Sequence, residues 1–184
     1  LEEMDQMLDK YDKEKLKDLL ERLNEKNSDL EKELDRELEL FKQLEIEQKI
    51  DELLTKIEQV KKDQHKLNAE TRRQTTKKDS LIKKQELITQ KMTEIKKSLK
   101  EIREKNMQLD DKKDLPKTQK LEEEIMQRMQ KSKNELQKDQ RKKSIKSQKI
   151  AIEKMNTLEE QLQNMQKQAF KLLINIDYKI NTHF

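Results

Sequence analysis

The stretch NMQLDDKKDLPKTQKLEEE, residues 106–124, holds the only proline of a chain that has no glycine. Proline inside a helix removes a backbone hydrogen bond and clashes with the preceding turn, whereas in the first helical turn it costs little. Asp114 is a candidate N-cap just ahead of Pro116, and the three glutamates that follow favour a helix N-terminus. The stretch therefore predicts that one helix ends near residues 109–111 and that another begins near residues 114–117.

The lengths of the two flanking segments predict how the chain continues. At about 1.5 Å per residue, segments 46–110 and 117–180 would form helices of roughly 97 and 96 Å. Arms of matching length favour an antiparallel hairpin that turns at about residues 111–116, with an N-terminal helical extension. The alternative is one long bent rod in which Pro116 is a kink.

Composition places the chain in the all-α class. Hydrophobic residues make up 30% and charged residues 45% of its 184 residues. Such chains are either disordered or form long helices, and the regular spacing of the apolar residues favours a long coiled coil. Without glycine the chain lacks phosphate-binding loops and nucleophile elbows in their usual form, and without cysteine it lacks a thiolate metal site. We therefore predict that it is not an enzyme and has no cofactor, metal or small-molecule ligand.

An acidic N-terminal segment, residues 1–45, carries the first heptad series. Apolar residues in a coiled coil recur at alternating steps of three and four. Seven of nine positions in this series are apolar: Leu16, Leu20, Leu23, Asn27, Leu30, Leu34, Glu37, Phe41 and Leu44. Asn27 lies where a buried asparagine often fixes the register of a coiled coil, or else it tolerates a partly hydrated seam.

A second and longer series starts at Ile46 and runs to Leu109. It predicts one main heptad helix over residues 46–110, joined to the first segment without a turn. The apolar spacing fails between Thr71 and Lys78, which indicates either a solvated weak stretch or a docking site. The series comprises Ile46, Ile50, Leu53, Ile57, Val60, Gln64, Leu67, Thr71, Gln74, Lys78, Leu81, Gln85, Ile88, Met92, Ile95, Leu99, Ile102, Asn106 and Leu109.

Beyond a turn or kink at residues 111–118, residues 119–184 are predicted to form a C-terminal coiled-coil helix with an apolar end. Its spacing is poor at first and then regular from Ala151 to Ile176. A chain with such stripes is expected to need helical partners. The predicted partner-binding seam comprises Ile50, Leu53, Ile57, Val60, Ile88, Met92, Ile95, Leu99, Ile102, Leu158, Leu162, Met165, Leu172 and Ile176.

Charge is distributed unevenly along the chain. Residues 1–60 carry 11 basic and 20 acidic residues, and residues 61–120 carry 19 and 10. Two basic clusters could form one band that binds a polyanion, or they could be a solvated face. The candidate polyanion-binding residues are Lys61, Lys62, Arg72, Arg73, Lys77, Lys78, Lys83, Lys84, Arg141, Lys142, Lys143 and Lys146.

These patterns predict a non-catalytic structural or tethering subunit of a large assembly. The first assignment is cytoskeletal, in a ciliary or other microtubule-associated complex, with a cytoplasmic location. A kinetochore or nuclear scaffold subunit is the alternative, and a non-specific nucleic-acid-binding helix is a third hypothesis. The expected partners are other coiled-coil proteins, in a hetero-oligomer rather than a homodimer, together with microtubules. No run of apolar residues approaches the length that spans a bilayer, so no membrane partner is expected.

Overall fold

The computed structural model describes the backbone of residues 2–181 and the side chains of residue 13 and of residues 15–167. The protein is all-α, as predicted, and no strand occurs within the described backbone. Its four helices are α1 (Glu2–Arg72), α2 (Lys78–Met107), α3 (Gln119–Gln137) and α4 (Arg141–Asn181). The abundance of Leu, Lys, Glu, Gln and Met, which have high helix propensity, accounts for the high helix content. The chain divides into two units, residues 1–43 and residues 44–184.

In the second unit, α2 runs antiparallel to the part of α1 that follows residue 43. Lys105 of α2 pairs with Glu45 near one end, at 2.9 Å. Lys91 pairs with Asp63 further along, at 2.7 Å. Because the number in α2 falls as the number in α1 rises, the two segments point in opposite directions.

Helices α3 and α4 pack against the other helices of this unit through the following contacts. Arg103 of α2 binds Glu122 at the start of α3. The hydroxyl groups of Ser132 in α3 and Ser144 in α4 lie 2.9 Å apart. The Asn68 amide of α1 donates to the Gln148 side chain of α4 at 3.1 Å, so the last helix contacts the first. We call this arrangement of helical segments, within residues 44–167, the bundle.

One hydrophobic core runs through the bundle, and all four helices contribute to it. Its largest fully buried side chains are Ile46, Ile50, Leu53, Ile57, Leu67, Leu81, Met92, Ile95, Ile125, Met129, Leu136 and Met155. Each helix of the bundle therefore contributes its apolar stripe to this shared core.

This burial corrects the prediction that the seam binds partners. Twelve of its fourteen residues are 9% exposed or less, because the chain turns back on itself and its own helices cover them. These are Ile50, Leu53, Ile57, Val60, Ile88, Met92, Ile95, Leu99, Ile102, Leu158, Leu162 and Met165. The other two, Leu172 and Ile176, lie outside the described side chains.

A turn at residues 73–77 corrects the prediction of one helix over residues 46–110. The backbone N–H of Arg73 donates to the Glu70 carbonyl at 3.0 Å, and that of Thr76 donates to the Arg73 carbonyl at 3.4 Å. Lys77 has an extended backbone from which α2 begins. The turn needs no glycine because no residue in it has a positive φ. The weak stretch from Thr71 to Lys78 is thus largely an inter-helix connection.

The connection that contains Pro116 spans residues 108–118. Helix α2 ends at Met107, slightly earlier than predicted. Helix α3 begins at Gln119 with Thr118 as its N-cap, so Pro116 lies in the connection and not in the first helical turn. The buried Asn106 side chain holds this connection, because its amide exchanges two 2.9 Å hydrogen bonds with the backbone of Lys113.

A third connection, residues 138–140, corrects the prediction of an unbroken C-terminal helix. Asp139 has φ 57°, the left-handed conformation that most proteins give to glycine. The Gln140 N–H donates to the Glu135 carbonyl and the Asp139 N–H to the Leu136 carbonyl, the pattern of a Schellman motif. Aspartate is among the few non-glycine residues that adopt this conformation, which suits a chain without glycine.

Candidate interaction surfaces

An exposed apolar stripe is the main feature of the first unit. Large hydrophobic side chains along residues 16–41 of α1 are about half exposed or more, and Leu34 is 65% exposed. Most of them recur at steps of three, four or seven, and the others flank these positions, so the set lies on one side of the helix. The stripe comprises Leu16, Leu19, Leu20, Leu23, Leu30, Leu34, Leu38, Leu40 and Phe41, each between 49% and 66% exposed.

Two polar residues interrupt the stripe. Asn27 and Glu37 occupy series positions and are exposed. The acidic and basic residues on the rest of this helix form short-range pairs, such as Lys32 with Asp29 at 3.4 Å. Such exposed pairs contribute little to stability, so they leave the apolar stripe as the distinctive surface.

A second surface lies at one end of the bundle, where two connections meet. The Arg141 guanidinium donates to the carbonyl oxygens of Arg73 at 2.9 Å and Thr76 at 2.8 Å. Lys78 donates to the Gln137 carbonyl at 3.4 Å. These bonds join the 73–77 turn to the 138–140 connection. Segments 70–84 and 135–149 around them contain twelve basic and four acidic residues. We call these two segments together the basic end.

The structure brings most of the predicted polyanion-binding residues to the basic end, and separates two of them from it. Lys61 pairs with Glu159 and Lys62 with Glu58, further down the bundle. At the basic end, Lys84 pairs with Glu70 and Arg141 lies 3.8 Å from Asp139. The other predicted residues form no ion pair among the side chains that the structure describes: Arg72, Arg73, Lys77, Lys78, Lys83, Lys142, Lys143 and Lys146.

A buried polar layer crosses the bundle next to the basic end. The side-chain amides of Gln64 and Gln85 exchange two hydrogen bonds, of 3.2 and 2.9 Å. Ser132 donates to the Gln85 oxygen at 2.8 Å. The Gln148 amide donates to Thr71 at 3.2 Å. All four helices thus contribute to one hydrogen-bond network. Because its members are hydrogen-bonded to each other, burying these polar groups costs little free energy.

Several members of this layer were missed by sequence reasoning that counted only apolar residues. Ser132, Ser144 and Gln148 are fully buried. They continue the three- and four-residue steps of Ile125 and Ala151, and that spacing was the signal available. The poor periodicity at the start of residues 119–184 is therefore a core of small and polar side chains together with a turn.

A buried glutamate paired with a half-buried arginine lies toward the opposite end of the bundle. Glu122 is 0% exposed, and both of its oxygens accept hydrogen bonds from the Arg103 guanidinium, at 2.7 and 3.4 Å. Thr118 also donates to Glu122, at 2.6 Å. The carboxylate is fully partnered, so it serves the fold and leaves no free group for chemistry.

Ion pairs between helices shift the pKa of several carboxyl groups. A hydrogen bond from Lys105 lowers the pKa of Glu45, and one from Lys154 lowers that of Glu124. Burial raises the pKa of Asp63, but hydrogen bonds from Lys91 and Gln59 outweigh it and lower the pKa overall. Each lowered pKa means that the charged form of the carboxyl group is stabilised by its lysine partner. These carboxyl groups therefore act in ion pairs that join helices.

A groove in the bundle is smaller than the sites that usually hold a small molecule. One groove of about 150 Å³ is lined by Lys49, Glu52, Leu53, Lys56, Ser98 and Glu101. Ligand pockets usually measure about 300–1,000 Å³ and are mainly apolar. In the described residues no cluster of His, Cys, Asp or Glu could hold a metal ion. No described helix is long and apolar enough to cross a membrane.

No family model matches the chain, and no curated protein or solved structure is significantly similar to it.

Proposed function

We propose that this protein is a non-catalytic structural subunit that tethers components of a multiprotein assembly. It would do so with two binding surfaces in one chain: the apolar stripe of α1 and the basic end of the bundle. In this proposal, residues 16–41 form the predicted coiled coil with a partner. The predicted antiparallel turn near Pro116 is made within the bundle.

The exposed stripe is the observation that carries this proposal. Residues 46–165 repeat the same pattern, and there the apolar residues at the series positions are buried within the chain. A row of leucines that are each about half exposed or more leaves apolar surface that association with another helix would remove from water. The stripe therefore favours a protein that acts by binding helices.

The basic end favours an acidic partner as the second tethered component. Eight basic side chains there form no ion pair within the described residues, and α2 and α4 begin at this end. Clustered lysines attract acidic protein tails through long-range electrostatics that salt weakens. We therefore assign the protein to the cytoskeleton, in a microtubule-associated or ciliary complex; a kinetochore or nuclear scaffold is the alternative assembly.

Non-specific nucleic-acid binding is the second candidate function, because lysines that meet acidic tails can also meet phosphates. The described part of the basic end contains no aromatic residue on which bases could stack, which disfavours single-strand recognition. The form of nucleic-acid binding to be tested is therefore binding of duplex DNA through its phosphates alone.

Co-sedimentation of the full chain with microtubules, beside a binding assay on duplex DNA, separates the two candidates. We expect microtubule binding that falls as salt rises and little binding to DNA at about 0.15 M salt. The triple variant Lys77→Gln, Lys142→Gln, Lys143→Gln should weaken microtubule binding by about tenfold or more.

A matched control removes the same charge from one lysine of α2 and two lysines of the 108–118 connection. The variant Lys97→Gln, Lys112→Gln, Lys117→Gln changes exposed lysines far from the basic end and should change binding less than about twofold. Equal losses in both variants would mean that net charge, and not the basic end, drives binding. Binding to DNA alone would replace the cytoskeletal proposal with the nucleic-acid one.

A further inference from the structure

We propose that the apolar stripe of α1 is the seam of a parallel, in-register coiled coil between two copies of this chain. The inference rests on the proposed function, because it names the helix that the stripe binds. It differs from the sequence-based expectation of a hetero-oligomer, and the reasons lie in the register and charge of residues 16–41.

The register follows from the alternating steps. A step of four follows Leu16 and a step of three follows Leu20, so Leu16 takes the d position and Leu20 the a position of the heptad. Leucine then occupies d in three successive heptads, which favours parallel dimers. The d positions are Leu16, Leu23, Leu30 and Glu37, and the a positions are Leu20, Asn27, Leu34 and Phe41.

Asn27 selects the orientation. In a parallel, in-register pair each a residue faces the same a residue of the other copy, so two Asn27 amides meet and hydrogen-bond each other. In an antiparallel pair a faces d, so Asn27 would face a leucine and lose the hydrogen bonds that it makes with water. Self-pairing of the asparagine is thus available only when two identical chains run in parallel.

Charge complementarity flanks this asparagine layer. Lys26 occupies the g position before Asn27, and Glu31 occupies the e position after it. In a parallel dimer g of one helix meets the next e of the other, so Lys26 of each copy faces Glu31 of its neighbour. Neither side chain forms an ion pair within the described monomer, so both are available for the pairing.

The rest of the chain also favours a second copy over a different chain. The bundle buries the stripes of its helices, which leaves this stripe as the exposed apolar face of the described residues. Residues 13–43 hold eight basic and ten acidic residues, so two copies repel each other little. Glu37 is the one seam position that opposes self-pairing, and it supplies an internal test.

Sedimentation equilibrium on the full chain measures the oligomeric state, and we expect a concentration-dependent dimer that predominates at about 50 µM. The chain has no cysteine, so orientation can be read by disulfide formation. Leu20→Cys should cross-link to itself under equilibrating oxidation, because parallel pairing places the two residues opposite each other. In an antiparallel pair centred on the stripe they would lie about 25 Å apart. Asp18→Cys, on the outer face, is the control that should not cross-link.

Charge and seam variants test the register. Lys26→Glu should weaken the dimer by about fivefold, and the swap Lys26→Glu with Glu31→Lys should restore it, because the pairs re-form with reversed sign. Glu37→Leu should tighten the dimer by about tenfold or more through burial of two added leucines. Asn27→Leu should also tighten association but yield mixed oligomers or registers.

A chain that stays monomeric at 100 µM, together with a monomeric Glu37→Leu variant, would overturn this inference. Failure of Leu20→Cys to cross-link in a confirmed dimer would overturn the parallel orientation, and failure of the charge swap to restore pairing would overturn the register. None of these outcomes bears on microtubule binding through the basic end, so a failed dimer and a failed tether are distinguishable.

Discussion

Two regions of this molecule carry the same heptad pattern and use it differently. In residues 16–41 the apolar series is exposed, with Leu30 at 62%. In residues 46–165 the same pattern is buried, with Leu53 at 1%. The comparison teaches that a heptad series indicates a helix with an apolar face but does not indicate whether the covering helix comes from the same chain.

Three connections decide the difference. Turns at residues 73–77, 108–118 and 138–140 let the chain supply the neighbours that cover its own stripes. Residues 16–41 lie in an uninterrupted helical stretch within the first unit and have no such neighbour there. Burial of apolar area is the main favourable term in folding. The bundle gains this burial by folding, and the proposed dimer would give the stripe the same gain by association.

The largest effect expected from this comparison comes from one leucine in each region. Leu53→Ala should destabilise the bundle by about 2–5 kcal/mol, because it leaves a cavity in the core. Leu30→Ala, the matched change on the exposed stripe, should alter the stability of the dilute chain by less than about 0.5 kcal/mol. Urea unfolding followed by circular dichroism at low micromolar concentration measures both.

At higher concentration the same two variants should exchange roles. Leu30→Ala should then weaken dimerisation, whereas Leu53→Ala should act through the stability of the bundle. If Leu30→Ala destabilised the dilute chain as strongly as Leu53→Ala, the stripe would already be covered within the monomer and the comparison would fail.

The helical class of the fold could be predicted from composition and spacing, but the number of turns could not. Ten residues separate Thr71 from Leu81, and a spacing of ten also occurs within an unbroken heptad series. A five-residue turn therefore fits inside the series without shifting its register. The polar residues Gln74 and Lys78, which are exposed in the structure, were the one trace that the turn left in the pattern.

The candidate surfaces were predictable to different degrees. The clusters of basic residues could be read from the sequence, but their meeting depends on Arg141, which binds the carbonyl oxygens of Arg73 and Thr76. No pattern in the sequence indicates a bond from a side chain to a backbone 65 residues away. The stripe was read correctly as apolar, but its exposure could not be predicted, because that depends on the bundle covering the other series within the described side chains.

Two glutamates, one in each region, also differ in burial, although each interrupts a heptad-like series. Glu122 is buried with Arg103 and Thr118, whereas Glu37 is exposed. Glu122→Ala should destabilise the bundle by about 2–3 kcal/mol, because it removes a charged hydrogen-bond partner from a half-buried arginine. Glu37→Ala should leave the dilute chain within about 0.5 kcal/mol of its original stability. Urea unfolding compares the two.

A double variant controls for the volume that Glu122→Ala removes. Changing Arg103 and Glu122 together to leucine removes both charges, and its cost should be less than the sum of the two single changes. Additive costs would mean that the pair contributes only packing, contrary to the geometry of its two hydrogen bonds.

The buried polar layer provides a somewhat smaller effect. Gln85→Leu should cost about 1–3 kcal/mol, because it leaves the amide of Gln64 and the hydroxyl of Ser132 without their partner. Changing Gln64 and Gln85 together to leucine should cost less than the sum of the single changes, since both ends of the amide pair are removed. A double-mutant cycle by urea unfolding measures the coupling, and a value near zero would contradict the network.

The smallest effect concerns the charged rim of the bundle, where α2 supplies a lysine to α1. Asp63 accepts from Lys91 at 2.7 Å, and its pKa lies below the ordinary 3.8, although burial opposes the shift. Because the pKa of Asp63 is lower in the folded chain, the ion pair stabilises the fold when the pH is above the ordinary pKa of the group. This contribution is lost as the pH falls through the folded-state pKa. Because Lys91 is exposed and Asp63 is only partly buried, solvent screens the pair, and the contribution should be at most about 0.5 kcal/mol. Titration of Asp63 by NMR should give a pKa that rises in Lys91→Gln, whereas Lys97→Gln, elsewhere on α2, should leave it unchanged. An Asp63 pKa that does not respond to Lys91→Gln would mean that the two helices do not hold this pair in solution, and that the rim of the bundle is as loosely paired as the charged face of residues 16–41.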